Sequence, residues 1–213
     1  GFNFGLRSGK SKHVEGGVKA IVGSNTRVNA ALFQVRTEDE LVVDTSGGGR
    51  TSYRNASETL RRGAELSVES SFAGGWSARM ALTALRATYE TGFGAVAPGR
   101  HLPGIPRANL FGELAWNDKA ERFGAALEAI ASEKVYTEDT NTEIPAPGYG
   151  LLNARVQAKQ AAGRWKFSEF VRLNNVLDRS YVGSVIVGDA NKRYYEAAPG
   201  RTWLVGASAQ YQF

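Results

Sequence analysis

The chain closes with Arg201-Thr-Trp-Leu-Val-Gly-Ala-Ser-Ala-Gln-Tyr-Gln-Phe213, a stretch in which two kinds of residue alternate. Successive side chains of a β-strand point to opposite faces, so the pattern predicts a strand with one apolar face. The apolar face comprises Trp203, Val205, Ala207, Ala209, Tyr211 and Phe213. The other face is mixed and comprises Thr202, Leu204, Gly206, Ser208, Gln210 and Gln212.

The same alternation recurs along the whole chain, for example in Val14–Val22, Ala64–Phe72 and Leu152–Lys159. Helical periodicity is hard to find, so an all-β fold is predicted. The predicted strands are 11–23, 26–38, 53–72, 76–90, 107–117, 121–135, 149–160, 164–177 and 201–213.

The connections between these strands alternate strictly between short and long. The short ones are 23–26, 73–75, 117–120 and 161–164, and the long ones are 39–52, 91–106, 136–148 and 178–200. Up-and-down membrane barrels have this rhythm, with tight periplasmic turns and long external loops. A soluble β-sandwich with Greek-key connections does not require this alternation of short and long connections. The prediction is therefore a segment of an antiparallel up-and-down transmembrane β-barrel, with about nine strands.

Aromatic residues provide an independent indication of a membrane wall. Trp76, Trp116 and Trp165 adjoin short turns. Tyr and Trp favour the membrane–water interface, and barrels carry an aromatic girdle at each end. We expect a second girdle at the long-loop ends, formed by Tyr53, Tyr89, Tyr136 and Tyr149. Aromatic residues also favour strands and soluble cores, so a soluble β-domain is the alternative.

The number of predicted strands indicates whether they form a complete barrel. Bacterial single-chain barrels normally have an even number of strands, and nine is odd. Residues 1–213 are therefore expected to be the C-terminal portion of a larger barrel, without its N-terminal strands. Phe2, Phe4 and Leu6 also alternate, so residues 1–8 offer a tenth strand for a small complete barrel. Such a barrel would act as a passive pore or an adhesin.

Composition excludes several other classes of protein. The 213 residues are 42% hydrophobic and 22% charged, and no apolar run approaches the roughly 20 residues of a spanning helix. The chain contains no Cys, which excludes thiol catalysis and zinc–cysteine sites. Its net charge of +5 comes from scattered Lys and Arg, which does not favour a nucleic-acid site.

Catalytic motifs are weak. Gly9-Lys10-Ser11 resembles the end of a phosphate-binding loop, but the leading glycine position holds Phe4. His13 and His101, the two histidines, lack metal-ligand spacing. We expect no enzyme activity, no metal site and no cofactor. A barrel hydrolase with a Ser–His pair is the less favoured alternative.

Several motifs in this order resemble the C-terminal half of the TonB-dependent outer-membrane receptor family. Leu6–Ser11 is similar to the family's Leu-Lys-Pro-Glu-Lys-Ser segment, called the lead here. It precedes Glu15-Gly16-Gly17-Val18-Lys19, which is similar to the family's "E-x-G-x-K" strand. The later motifs are Asn55-Ala56 with Arg62-Gly63-Ala64-Glu65, Pro103-Gly104-Ile105-Pro106-Arg107 with Asn109-Leu110, Asn174 to Tyr181, and Pro199-Gly200-Arg201-Thr202 before Phe213. Ser8-Gly9 departs from the usual Pro-Glu of the lead.

The resemblance implies a 22-stranded barrel around an N-terminal plug in the bacterial outer membrane. It implies uptake of a scarce chelated nutrient, most often a ferric siderophore and sometimes haem or cobalamin, energised by the TonB complex through the absent N-terminal part. This chain would supply barrel wall and external loops. Further expected partners are outer-membrane lipid and lipopolysaccharide, and the barrel-assembly machinery through the strand ending at Phe213.

Cargo contacts are expected in the long loops, because loops on a rigid scaffold commonly carry function. Arg attracts anionic chelates and aromatic rings stack on flat ones. The candidate ligand-binding residues are Arg193, Tyr194, Tyr195, Arg100 and His101.

Overall fold

A computed structural model describes residues 5–56 and 58–213. Nine long strands form one antiparallel sheet, and two short hairpins lie in two of the long loops. The strands are β1 (Lys10–Val22), β2 (Thr26–Glu38), β3 (Leu41–Gly47), β4 (Arg50–Asn55), β5 (Glu58–Ser71), β6 (Trp76–Tyr89), β7 (Ala108–Asn117), β8 (Phe123–Ser132), β9 (Tyr149–Ala162), β10 (Trp165–Asn174), β11 (Val182–Val185), β12 (Tyr195–Ala197) and β13 (Thr202–Tyr211).

The main sheet is a simple meander in the order β1-β2-β5-β6-β7-β8-β9-β10-β13. Each long strand pairs with the next long strand along the chain, so the short turns lie at one edge and the long loops at the other. The predicted up-and-down barrel fold is confirmed in its topology.

Strand register gathers the alternating apolar residues on one face, called the outer face here. Directly opposed residues share a face, so Leu32, Ala64 and Ala84 form one row across three strands. A second row joins Leu114, Leu127 and Ala154. Many of these side chains are exposed, as expected for a surface whose apolar environment is lipid.

The opposite face, called the inner face, is polar and carries charge pairs between strands. Arg79 Nη2 lies 2.7 Å from Glu113 Oε1, and Arg155 lies 3.9 Å from the same carboxylate. Arg172 donates two hydrogen bonds to Glu128, each of 2.5 Å. These ion pairs neutralise charged side chains on the half-buried inner face. Charged side chains are expected there, because the interior of such a barrel is polar.

Aromatic rings line the outer face at the short-turn edge. Trp76 pairs directly with Trp116, and Trp165 pairs with Tyr211 at a ring-centroid distance of 5.1 Å. The Trp116 indole donates a 3.0 Å hydrogen bond to the Gly74 carbonyl of the neighbouring turn. This edge therefore has the amphipathic aromatic girdle that the sequence predicts.

The turn before β6 depends on glycine. Gly75 has φ +86°, and a Cβ there would lie 1.9 Å from the Asn117 carbonyl oxygen of the adjacent turn. A side chain at this position would push the two short turns apart.

The structure corrects several sequence-based details. Strand 53–72 begins at Glu58, because residues 50–55 form the second arm of the β3–β4 hairpin. Strand 121–135 ends at Ser132. Two of the four residues expected in the upper tyrosine girdle lie elsewhere. Tyr89 is fully buried, and Tyr53 lies on the loop hairpin.

The sheet has two open edges, β1 and β13, which do not pair with each other within the described residues. Of the suggested tenth strand, residues 1–4, including Phe2 and Phe4, lie outside the described residues, and residues 5–9 are not a strand. Across residues 5–56 and 58–213, no helix has the length and apolar character to cross a membrane.

Candidate functional site

The four long connections lie together above the sheet and contact one another. We call the surface formed by residues 39–56, 90–107, 133–148 and 175–201 the loop platform. One apolar cluster and several polar contacts between the loops hold it together.

The apolar cluster joins the first two loops. Its buried members are Ala56, Ala87, Tyr89, Val96 and Leu102. Val42, Leu85, Phe93 and Ile105 pack around them. The Tyr89 and Phe93 rings meet edge to face at 5.0 Å. This small core holds the loops by burial of apolar surface.

A charged contact ties this cluster to the third loop. The Tyr89 hydroxyl donates a 2.7 Å hydrogen bond to Asp139 Oδ1, and Arg54 Nη2 donates a 3.2 Å bond to Asp139 Oδ2. The Arg54 guanidinium also lies 3.4 Å from Asp44 and 4.7 Å from the centroid of the Phe93 ring. Asp139 is buried, so these partners compensate for the loss of its hydration.

The third loop contacts its neighbours on both sides. Asn141 accepts a 2.6 Å hydrogen bond from the His101 amide and donates a 2.9 Å bond to the His101 carbonyl. On the other side, Lys192 Nζ lies 2.6 Å from Glu143, and the Tyr195 hydroxyl donates to the Ile144 carbonyl. The third loop therefore bridges the second and the fourth.

The fourth loop also returns to the first. The Ser46 amide donates a 3.0 Å hydrogen bond to the Gly188 carbonyl, and the Ala190 amide donates a 2.8 Å bond to the Ser46 carbonyl. All four loops are therefore joined into one body. A surface ordered before its ligand arrives loses little conformational entropy on binding.

Two of the recognised motifs have direct structural roles here. In the 174–181 motif, Asp178 Oδ1 accepts a 2.8 Å hydrogen bond from the Arg201 amide, at the start of β13. A Cβ at Gly200 would lie 2.8 Å from that same oxygen, which explains the glycine. In the 103–107 motif, Gly104 has φ +76° and donates a 2.9 Å bond to the Tyr136 carbonyl.

The structure places the five predicted site residues in two separate groups. Arg193, Tyr194 and Tyr195 are consecutive in the fourth loop, where the Arg193 amide donates to Asp189. Arg193 and Tyr195 are exposed, whereas Tyr194 is only 7% exposed. Arg100 and His101 lie in the second loop. Within the described residues, no hydrogen bond, ion pair or ring contact joins the two groups.

His101 lies beside a ring and several cations. Its imidazole stacks on Tyr136 with the centroids 5.1 Å apart and the planes within 6°. Burial, with the charges of Arg107 and Arg86, lowers the pKa of His101 below its ordinary value. The neutral imidazole is therefore the favoured form in the fold.

Two platform carboxylates are held in their charged form. Burial raises the pKa of Glu40, but hydrogen bonds from Arg61 and Thr59 outweigh it, and the net shift is downward. Burial likewise raises the pKa of Glu138, yet hydrogen bonds from Thr140 and from the amides of Glu143 and Thr142 bring it below its usual range. Both carboxylates therefore stabilise the loops when ionised.

Several residues that assemble the platform were not singled out from sequence. Arg54, Asp139 and Asn141 look like ordinary loop residues, and their contacts span up to 85 positions. No local spacing identifies such pairs. Tyr89 was singled out, but as a member of the upper girdle. In the structure it is buried, and a buried phenol needs a polar partner, which Asp139 supplies.

The described residues contain no group of three His, Cys, Asp or Glu side chains that could hold a metal ion. His13 lies 3.5 Å from Glu15, and His101 stacks on Tyr136. Within residues 5–56 and 58–213, neither imidazole hydrogen-bonds a serine.

Comparison with known proteins identifies the family. A family model described as "TonB dependent receptor-like, beta-barrel" matches residues 1–178. The chain belongs to the TonB-dependent receptor β-barrel family. Members are outer-membrane proteins, so the predicted bacterial outer-membrane location is confirmed. Family members are receptors and transporters rather than enzymes.

Solved receptors share the fold of this family member. The ferric-catecholate import receptor Fiu from E. coli K12 superposes with a TM-score of 0.73 at 19% identity, over 99% of this chain and 29% of that one. The ferric yersiniabactin uptake receptor FyuA from Yersinia pestis gives 0.73 at 21% identity, with 96% and 30% covered. The copper transporter OprC gives 0.72 at 17%, with 98% and 32% covered. The chain thus spans about 30% of the length of these receptors.

Proposed function

We propose that this chain forms part of the wall and the external loops of an outer-membrane receptor that actively takes up a chelated nutrient, a ferric siderophore in the first place. The observation that carries the proposal is the loop platform. In a chain of this family, four loops are joined into one surface at one edge of a sheet that is apolar outside and polar inside.

The proposal includes the parts that complete such a receptor. Residues 1–213 would be the C-terminal portion of a longer barrel, with a plug inside it and TonB acting on the N-terminal part. The open backbone edges of β1 and β13 support this, because unpaired strand edges are unstable in a membrane. Lipid and lipopolysaccharide would surround the outer face, and the assembly machinery would act on the C-terminal strand.

Cargo would be bound by exposed side chains on the rigid platform. Arg193 and Arg100 offer cations to anionic chelates, and Tyr195 offers a half-exposed ring. Tyr194 and His101 would position the loops, because the first is buried and the second is stacked on Tyr136. The named relatives include receptors for ferric-catecholate and ferric yersiniabactin and a copper transporter. Iron is therefore the first cargo to test.

The test is uptake by the full-length receptor in a strain that lacks it. Cells would be given a panel of labelled ferric siderophores, haem and cobalamin, with and without a functional TonB. We expect uptake of one class, and complete dependence on TonB. Uptake that persists without TonB would indicate a passive pore and contradict the proposal.

The loop residues are tested in the same strain. Replacing Arg193, Tyr195 and Arg100 together by Ala should weaken cargo binding by roughly tenfold or more, since hydrogen bonds between charged groups are strong. A control with Lys119→Ala and Arg164→Ala at the short turns should bind normally. Equal binding by all variants would place the cargo site elsewhere.

A further inference from the structure

The inner face of the last three strands of the main sheet, β9, β10 and β13, is cationic. Its alternating positions include Arg155 and Lys159 on β9 and Lys166 and Arg172 on β10, and no carboxylate. Glu169, the one acidic residue of these three strands, lies on the outer face. This part of the inner face therefore attracts anions.

The two arginines of this face have partners on the neighbouring strands. Arg172 lies directly opposite Arg155, and like charges in such positions repel each other. The two hydrogen bonds from Arg172 to Glu128 and the contact of Arg155 with Glu113 offset this repulsion. The arginines are therefore held by the barrel wall and are not free to bind a ligand.

The two lysines lie closer to the short turns and are less neutralised. Lys159 lies opposite Ser168 on β10, so Lys166 is its diagonal neighbour, at a separation of about 7–8 Å. Both lysines are exposed. Lys159 lies 3.7 Å from the exposed Glu121, a kind of pair that contributes little. Within residues 5–56 and 58–213, no carboxylate forms an ion pair with Lys166.

A groove at the short-turn edge brings these lysines together with other hydrogen-bond donors. Its volume is about 590 Å³, within the range of small-molecule sites. Three cations and one carboxylate line it, namely Arg122, Lys159, Lys166 and Glu121. Ser168 and Ser208 add hydroxyl groups. Ammonium, guanidinium and hydroxyl groups all donate to the oxygen atoms of an anion, so the groove suits a small anion with several acceptor oxygens.

The position of the groove indicates which anion would reach it. It lies on the inner face, at the end of the sheet opposite the loop platform. In the proposed receptor this end faces the periplasm, because barrels of this kind have their short turns on that side. A chelate that binds at the platform and passes along the inner face would reach the groove last.

We propose that this groove, called the exit groove here, is a second binding site for an anionic chelate, occupied as the cargo leaves the barrel. Lys159 and Lys166 are its main contacts. The inference rests on the proposed function and adds a site at the opposite end of the molecule from the platform. It gives the transport step a preference for anionic over uncharged chelates that is independent of the loops.

The experiment measures anion binding to the purified full-length receptor in detergent, with a fluorescent label on Gln210→Cys, directly opposite Lys166. Ferric tris-catecholate, a multiply charged anion, is the probe, and uncharged ferric tris-acetohydroxamate is the matched complex. Either iron complex quenches the label when it binds nearby. We expect the anionic complex to quench at a concentration at least roughly tenfold lower, and the effect to weaken as salt is raised. Equal quenching by the two complexes would overturn the proposal.

The variant Lys159→Gln with Lys166→Gln should abolish the difference between the two complexes. The control, Lys19→Gln with Arg27→Gln, removes two cations from the inner face of β1 and β2 near the same edge and should keep it. All four side chains are exposed, and near-ultraviolet circular dichroism verifies that both variants fold. If the lysine pair fails to fold, Lys166→Gln alone replaces it and should reduce the difference. A folded lysine variant that keeps the full preference would refute the assignment.

A segment of the receptor's own N-terminal part is the other candidate occupant of the groove. Carbodiimide joins a lysine amine to a carboxylate that is in direct contact with it. We expect no carbodiimide crosslink between Lys166 and the N-terminal part of the receptor. Such a crosslink would show that the groove is already filled and would overturn the proposal.

Uptake by cells separates this inference from the proposed function. The lysine variant should bind an anionic cargo at the cell surface with unchanged affinity but import it roughly tenfold more slowly, because its local attraction for anions is lost. Import at the normal rate would overturn the exit groove and leave the transport proposal standing. Selective quenching by the anion, with no uptake of any tested cargo, would support the groove as an anion site and contradict only the transport proposal.

Discussion

At the scale of single residues, Glu169 departs from the apolar pattern of the outer face. It lies on β10 directly between Ala158 and Ala207, and its Oε2 atom is buried without a hydrogen-bond partner. A carboxylate in this position is costly next to lipid. We expect Glu169→Leu to stabilise the full-length receptor by about 1–2 kcal/mol in unfolding from lipid. A destabilised Glu169→Leu protein would show that the carboxylate has a partner in the membrane.

Glu169 should also reduce the loss of stability caused by a positive charge at position 207. An arginine on the outer face generally costs about 2–4 kcal/mol at the bilayer midplane. Ala207→Arg would place it directly opposite Glu169. We therefore expect Ala207→Arg to cost less in the native background than in a Glu169→Gln background, as measured by a double-mutant cycle of unfolding free energies. Equal costs would mean that the two side chains do not interact.

The hydroxyl of Tyr89 makes the other prediction at this scale. Tyr89→Phe removes a buried hydrogen bond to Asp139 and leaves that carboxylate with Arg54 alone. We expect a loss of about 1–3 kcal/mol in local stability, seen as faster hydrogen exchange in loops 90–107 and 133–148. Tyr211→Phe at the short-turn end of β13 serves as the control and should leave exchange in these loops unchanged.

At the scale of elements, the platform loops should depend on pH. The pKa values of Glu40 and Glu138 are lowered in the fold, so their stabilisation is complete above the unfolded value of about 4.5 and is lost as pH falls below it. We expect protease sensitivity of the loops to rise below about pH 4.5 while the main sheet persists. Glu40→Gln should show the raised sensitivity already at pH 7. A flat profile down to pH 3 would contradict this role of the carboxylates.

The long strands and the loop hairpins differ in how well the sequence predicts them. The long strands were predictable because one face contacts lipid, which forces strict alternation in stretches such as 201–213. The two loop hairpins were missed because they have no such face. Residues 53–55 read as the start of the next strand, although they belong to Arg50–Asn55, which pairs with Leu41–Gly47. The site was predictable only as a set of loops, since contacts such as Arg54 with Asp139 depend on how the strands place distant loops.

At the scale of the whole molecule, the open sheet governs how the isolated chain should behave. β1 is exposed along all of its length, and β13 along most of it. Both present unpaired backbone groups beside apolar surface. We expect residues 1–213 expressed alone to aggregate in water and to associate through these edges in detergent. Crosslinks between cysteines introduced at Val18 and Val205 would detect that association. A monodisperse monomer would argue that the two edges are covered.

The bridged loops have a consequence for changing what the protein recognises. Grafting a single loop from another receptor would separate Tyr89 from Asp139, Asn141 from His101, or Lys192 from Glu143. Each graft would leave a polar side chain without its hydrogen-bond or ion-pair partner. New specificity should therefore be transferable only when neighbouring loops are exchanged as a set.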